Sequence, residues 1–432
     1  MAHHSPSTGR PRLVKTFAVT AIAGMLLAGC SSASSTDQGE PDNGTTLTMW
    51  ARADNGPTAQ LLVDAYNADH KNQVKLTVVP GVDFQTKVGA AAGSGGLPDI
   101  LGADVVYSPN YVKQGVFKDI TEGVKGLDFY DSLSHAHTDA TTLDGKIYGT
   151  PLVVDSSLII YNKDLFAAAG LDPEAAPASF DDIYADAQAI RKNIGGDTYG
   201  FYFAGNCPGC NAYTMFPYQV AAGTPPFTDE GTVADFDSEA LESTLELYKK
   251  MFDEDIIPQA AKTEDGSSWV TAFNAGTIGM LPVGTFNFGA LADADFEWGV
   301  AGLPAPDGGA TSTFVGGDVA GITKDSDHYA QALDFLLWTL GDEAQVDVLA
   351  KSGNLTSRVD LADNEYSASD PRMVQAIEGL ATGYTPSSTG YGAAVNDATG
   401  PWATLVRDYI FNGDANAIAD GQDAIQAALD DQ

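Results

Sequence analysis

The chain has 432 residues, of which 44% are hydrophobic and 9% aromatic, and a formal net charge of -36. It is long enough for two or three domains, each with its own core. So acidic a surface repels phosphates and anionic headgroups, which sets nucleic acid aside as a partner.

The N-terminus places Arg10, Arg12 and Lys15 ahead of an uncharged run that ends in Leu27-Ala28-Gly29-Cys30. A cationic start, a short apolar run and a small-residue cleavage site make a signal peptide over residues 1–29. The apolar run, about 13 residues, is shorter than the roughly 20 that a membrane span needs. A cysteine at the cleavage point resembles the bacterial lipobox, which implies lipidation of Cys30 and an extracytoplasmic protein anchored to the outer face of the cell membrane. Residues 30–44, rich in Ser, Asp and Gly, read as the lipidated cysteine and a flexible tether.

From Thr45 the pattern alternates. Residues 47–50 read as a strand, 58–69 as a helix with Leu61, Leu62, Ala65 and Tyr66 on one face, and 74–79 as a strand stopped by Pro80-Gly81. A helix over 84–92 ends in Gly93-Ser-Gly-Gly96, and 99–102 reads as a third strand. This rhythm predicts an α/β fold with a parallel or mixed sheet covered by helices. Further helices are expected at 180–190, after the capping box Ser179-Phe-Asp-Asp182, at 238–252 and at 330–340. Ligands of such sheets gather at the carboxyl ends of strands, which points to Trp50 and the loop around Asp104.

Two cysteines remain in Cys207-Pro-Gly-Cys210. Their flanks, Gly205-Asn206 and Asn211-Ala212, read as loop, so a disulfide bracing a loop is expected; a redox-active, free or metal-binding pair is the alternative. His135-Ala-His137 reads as a solvent-exposed loop rather than a metal site, and Asp325 and Asp327 lack the glycine and terminal glutamate of a calcium loop. There is no G-x-S-x-G, H-E-x-x-H or P-loop motif, so neither an enzyme nor a cofactor or metal is expected.

Several segments, in order, carry a resemblance. They are Leu97-Pro-Asp-Ile100, Gly149-Thr-Pro-Leu-Val-Val-Asp155, Tyr161-Asn-Lys-Asp-Leu-Phe166, Pro177-Ala-Ser-Phe-Asp-Asp182, Phe273-Asn-Ala-Gly-Thr-Ile-Gly-Met280, Leu303-Pro-Ala-Pro306, Phe314-Val-Gly-Gly-Asp318 and Gly353-Asn-Leu-Thr-Ser-Arg358. Their order and spacing resemble the family 1 extracellular solute-binding proteins of bacterial ABC sugar importers, the family of the maltose-binding protein. The resemblance implies a two-lobed, venus-flytrap α/β fold crossed three times by the chain, near 151–155, Gly284 and Gly316. The lobes would be 45–152 plus 285–315, and 153–284 plus 316–432. It also implies a monomer that captures a mono- or oligosaccharide between the lobes and passes it to ABC permease subunits. Another polar solute, such as a polyol or a glycerol phosphodiester, is the alternative ligand, and an exported carbohydrate-active enzyme the competing class.

Carried onto this chain, the family's ligand contacts fall on Trp50, Asp104, Asp155, Tyr213, Gly317, Asp318, Arg358 and Trp402, with Trp269, Phe286 and Asn287 beside them. Relatives have Gly-Pro-Trp or Gly-Ser-Trp where this chain has Gly284-Thr285-Phe286-Asn287, which implies an altered subsite. Aromatic rings suit the C–H faces of sugars, and carboxylates accept pairs of hydroxyls.

Overall fold

The computed structural model describes residues 40–431, so the signal peptide, Cys30 and most of the expected tether lie outside the described residues. The tether's last residues are held in place. Asp42 accepts the backbone N–H groups of Asn72 at 2.7 Å and Lys71 at 3.1 Å, and Asn72 donates to the Pro41 carbonyl at 2.7 Å. Asn72 is fully buried, so these residues belong to the folded unit and not to a free linker.

Eight strands form the central sheet. They are β1 (Thr46–Arg52), β2 (Gln73–Val79), β3 (Ile100–Asp104), β4 (Thr150–Asn162), β5 (Tyr199–Phe201), β6 (Ile278–Gly284), β7 (Trp298–Ala301) and β8 (Val315–Ile322). The helices that matter for the site are α1 (Gly56–Asp69), α2 (Gly81–Ser94), α3 (Phe180–Asn193), α4 (Pro208–Ala221), α5 (Glu239–Asp253) and α6 (Tyr329–Thr339). The expected β-α-β-α-β run is present, with β1 parallel to both β2 and β3. The capping box forms at α3: Ser179 Oγ accepts the Asp182 N–H at 3.2 Å and donates to its carboxylate at 2.9 Å.

The sheet order is β2-β1-β3-β8-β4-β6-β5, with β7 also on β4. β4 is the long member and serves both lobes. Its first half pairs with β8, from Thr150 opposite Ala320 to Ser156 opposite Val315, and its second half pairs antiparallel with β6 and β7. Twelve of its residues are buried, as expected of a strand covered on both faces, and the one partly open position is Asp155.

This pairing divides the chain differently from the expected segments. No crossing occurs at Gly284: β6 lies against Ser157 to Tyr161 up to Gly284 itself, and β7 returns to the same half of β4, from Trp298 opposite Asn162 to Ala301 opposite Ile159. Residues such as Trp298, Val300 and Phe314 therefore share one core with Ile159, Met280 and Trp402. β8 and α6 go the other way. Ile322, Phe335 and Leu349 pack with Leu47, Met49 and Ile100. By core membership the chain thus crosses between Val153 and Val154, between Val319 and Ala320, and again between Leu349 and Leu355.

Two further expectations change. His137 is fully buried in the short helix His135–Ala140, with Nδ1 3.0 Å from Ser134 Oγ, and burial lowers its pKa to about 4, which keeps it neutral. The Cys207-Pro-Gly-Cys210 run is not loop on both sides: Cys207 is the N-cap of α4, and Pro208 suits the first helical turn.

Just before the second crossing Gly317 has φ +107°, and a Cβ there would lie 2.0 Å from the Val153 carbonyl oxygen. Gly317→Ala should destabilise the fold by about 1–3 kcal/mol or more, the scale of strain in such a backbone region. Urea unfolding of the two proteins measures this, and equal midpoints would show that the crossing can relax.

Candidate functional site

β1 and β3 run parallel and end side by side, so Arg52 and Asp104 emerge together at their carboxyl ends. β8 brings Gly317 and Asp318 to the same place, with Asp318 opposite Asp104. Arg52 ties these ends together. Its Nε donates to Asp318 Oδ1 at 2.5 Å, its Nη1 reaches Asp104 at 3.0 Å and Asp54 at 3.2 Å, and its Nη2 donates to the Gly317 carbonyl at 3.4 Å. Burial opposes the guanidinium charge, but Asp104 and Asp318 outweigh it and raise the Arg52 pKa. Burial pushes the Asp318 carboxyl up to about 6, against the pull of Arg52.

A cavity of about 630 Å³ opens beside this cluster, within the size range of small-molecule sites. One wall is charged and comes from Arg52, Asp54 and Asp104. The rest of the lining is largely aromatic and comes from Tyr213 on α4, Trp269, Phe286, Phe314 and Tyr391, with Asn396 and the cysteines of the 207–210 pair. Asp155 and Gly316, from the crossing strands, also line it. Tyr213 donates its hydroxyl to Asp155 Oδ1. Burial raises the Asp155 carboxyl above the usual carboxylate range, and burial together with Asp155 raises the Tyr213 hydroxyl further. A Cβ at residue 316 would lie 2.7 Å from Asp155 Oδ1, so glycine there leaves room for the carboxylate.

Of the sequence-predicted residues, Asp104, Asp155, Tyr213, Trp269, Phe286 and Gly317 meet in this cavity. Phe286 is 59% exposed at its mouth, 6.3 Å from the Trp269 ring. The other five do not line it. Trp50 packs one pleat short, under the Lys87 ammonium at 4.1 Å, and Arg52, two residues on and on the same face, takes the place expected of it. Asp318 is fully buried behind Arg52 and acts on the site through it. Asn287 is buried and pairs with Asn274 at 3.2 Å, on the far side of the turn from Phe286. Arg358 bonds Asp342 and Asp360 at 2.6 Å each and lies 3.7 Å over Phe129, which makes it a brace at the third crossing. Trp402 is wholly buried between Phe216 and Phe236, and its indole N–H donates to the Pro208 carbonyl at 3.1 Å, at the start of α4.

Sequence reasoning passed over Tyr391 and Asn396 as cavity residues, because no local pattern marks them, and over Phe314, although it opens the Phe314-Val-Gly-Gly-Asp318 segment. Asn396 donates to the Tyr107 hydroxyl at 3.1 Å, a bond between segments nearly 300 residues apart. Arg52 was legible in principle, as the residue at the strand's carboxyl end.

An amphipathic cavity at the junction of two α/β lobes, supplying both acceptors and ring faces, is the build of a solute-capturing protein. Residues 62–375 match the family model of the bacterial extracellular solute-binding protein, and the chain belongs to that family. It is 25% identical over 371 residues to the diacetylchitobiose binding protein DasA of Streptomyces coelicolor, covering 81% of this chain and 83% of that one. The cyclic alpha-maltosyl-1,6-maltose binding protein of Arthrobacter globiformis has the same fold, with a TM-score of 0.77 and 25% identity over 90% of this chain and 100% of that one. The sugar-binding protein MalE of Xanthomonas citri matches with a TM-score of 0.77 at 20% identity, over 90% of this chain and 98% of that one.

Arg52→Met should cost about 3–5 kcal/mol at pH 7, because it strands buried carboxylates. Without Arg52 the Asp318 pKa rises further, so the folded variant binds more protons than its unfolded chain and gains stability as pH falls. Wild type gains less over the same range, so the deficit should shrink between pH 7 and pH 5 in urea unfolding. A deficit that grows on acidification would contradict this assignment.

Proposed function

We propose that the chain is the substrate-binding component of an ABC importer that captures a neutral oligosaccharide in the cavity between its lobes. The observation that carries this reading is the mixed lining of one cavity: the carboxylates of Asp104 and Asp155 stand in it together with the rings of Tyr213, Trp269 and Phe286. Sugars offer hydroxyl donors to carboxylates and C–H faces to rings, and this cavity supplies both partners. The sugars after which similar proteins are named, diacetylchitobiose and cyclic alpha-maltosyl-1,6-maltose, support an oligosaccharide.

Charge narrows the ligand. The cation lining the cavity is Arg52, and its donors are engaged by Asp318, Asp104, Asp54 and Gly317. A phosphodiester or a uronate would meet carboxylates and find no free cation, which weighs against the glycerol phosphodiester alternative. Capture works by population shift: a ligand that bridges both lobes binds the closed arrangement better and draws the lobes together. Asp155 sits on the strand that crosses between lobes, so a hydroxyl bound there acts directly on the hinge. The rest of the reading follows from the sequence. Cys30 carries a lipid, the mature monomer is held at the outer face of the cell membrane, and the closed form delivers sugar to permease subunits.

A thermal-shift panel of neutral, uronic and phosphorylated saccharides tests this, with calorimetry on the best ligand. Neutral oligosaccharides should raise the melting temperature and acidic ones should not. Phe286→Ala and Asp155→Asn should each weaken binding by about 1–3 kcal/mol, the range of an interface anchor. No shift with any neutral sugar, or release of product during incubation, would overturn the reading.

A further inference from the structure

The proposed capture of sugar leaves one group in the cavity wall without a role, the Cys207–Cys210 disulfide. The pair opens α4, with Cys207 as N-cap and its Sγ accepting the Cys210 N–H at 3.2 Å. Both cysteines line the cavity and both are only partly buried. Three residues past Cys210, Tyr213 reaches Asp155.

On the other side the backbone of Gly266 rests on the sulfurs. Its φ is +95°, and a Cβ there would lie 3.0 Å from Cys210 Sγ and 3.2 Å from Cys207 Sγ. Glu264 shapes this loop, accepting the N–H groups of Gly266 at 2.9 Å and Ser268 at 3.1 Å and the Ser268 hydroxyl at 2.6 Å. Trp269 comes next in the chain. The disulfide therefore sits between the two segments that present Tyr213 and Trp269, and it is itself a polarizable, largely apolar surface.

We propose that the Cys207–Cys210 disulfide is a ligand-contacting wall of the cavity and makes sugar binding redox-dependent. This rests on the saccharide reading above. A dithiol reductant supplies two electrons and two protons: the S–S bond breaks, two S–H groups form, and the reductant closes to its own disulfide. The freed sulfurs must move apart to non-bonded distance. Gly266, itself part of the cavity lining, lies close against both sulfurs, so their separation alters the cavity wall or pushes the loop that carries Trp269. The N-terminus of α4 favours a thiolate at Cys207, which would add negative charge to a cavity already lined by Asp54, Asp104 and Asp155.

The test uses the chain with Cys30→Ser, so that thiol titration reads this pair alone, and the neutral oligosaccharide with the largest thermal shift. Calorimetry should give an affinity about tenfold weaker or more after dithiothreitol, recovered on reoxidation. Saturating sugar should slow reduction by dithiothreitol, a protection that a merely structural disulfide elsewhere would not show. The Cys207→Ser/Cys210→Ser variant should bind as the reduced protein does, with or without dithiothreitol. Reduced protein that binds within twofold of the oxidised form, or reduction at the same rate with and without sugar, would overturn the inference. An oxidised protein that binds no sugar would instead overturn the reading on which it rests.

Discussion

The Arg52 guanidinium and the carboxylates around it are the constraint on which the site depends. Asp318 is fully buried, and an ionised carboxylate there needs a cation in contact. Arg52 supplies it and, in doing so, locks the carboxyl ends of β1 and β3 to the amino-terminal half of β8. Its charge is thus paired within the protein, by Asp318, Asp104 and Asp54. That local pairing bears on the ligand more directly than the overall charge of -36 does.

The aromatic wall is organised by a second set of constraints. α4 starts at Cys207, is held at Pro208 by the buried Trp402, and carries Tyr213 to Asp155. Asp155 lies on β4, the strand shared by both lobes, at its one partly open position. Glycine at 316 makes space for that carboxylate, and glycine at 317 lets β8 pass against the Val153 carbonyl. Cavity lining and the crossing between lobes thus meet within a few residues, the placement that the proposed coupling of capture to lobe closure needs.

Much of this fold was legible in the sequence, for identifiable reasons. The first five elements follow from strict alternation, helical spacing and the stops at Pro80-Gly81 and Gly93 to Gly96. Asp104, Asp155, Tyr213 and Gly317 were marked by motif position, Trp269 and Phe286 stood beside them, and all six line one cavity. The misses are mostly matters of side-chain direction. Trp50 and Arg52 share a strand face, and only the end of the sheet decides which one reaches the cavity. Phe286 and Asn287 are neighbours in a turn, and one points out while the other pairs inward with Asn274. Trp402 and Arg358 kept their motif positions but are spent on packing and on ion pairs. The crossing expected at Gly284 failed because a glycine marks a turn without saying which sheet the next strand joins.

The account stands most directly on where the sugar lies. A crystal structure of the chain soaked or grown with a neutral oligosaccharide from the panel measures this. Sugar rings should lie against the faces of Tyr213, Trp269 and Phe286, with hydroxyls on the carboxylates of Asp104 and Asp155. Sugar bound elsewhere on the protein, with this cavity holding only solvent, would contradict it.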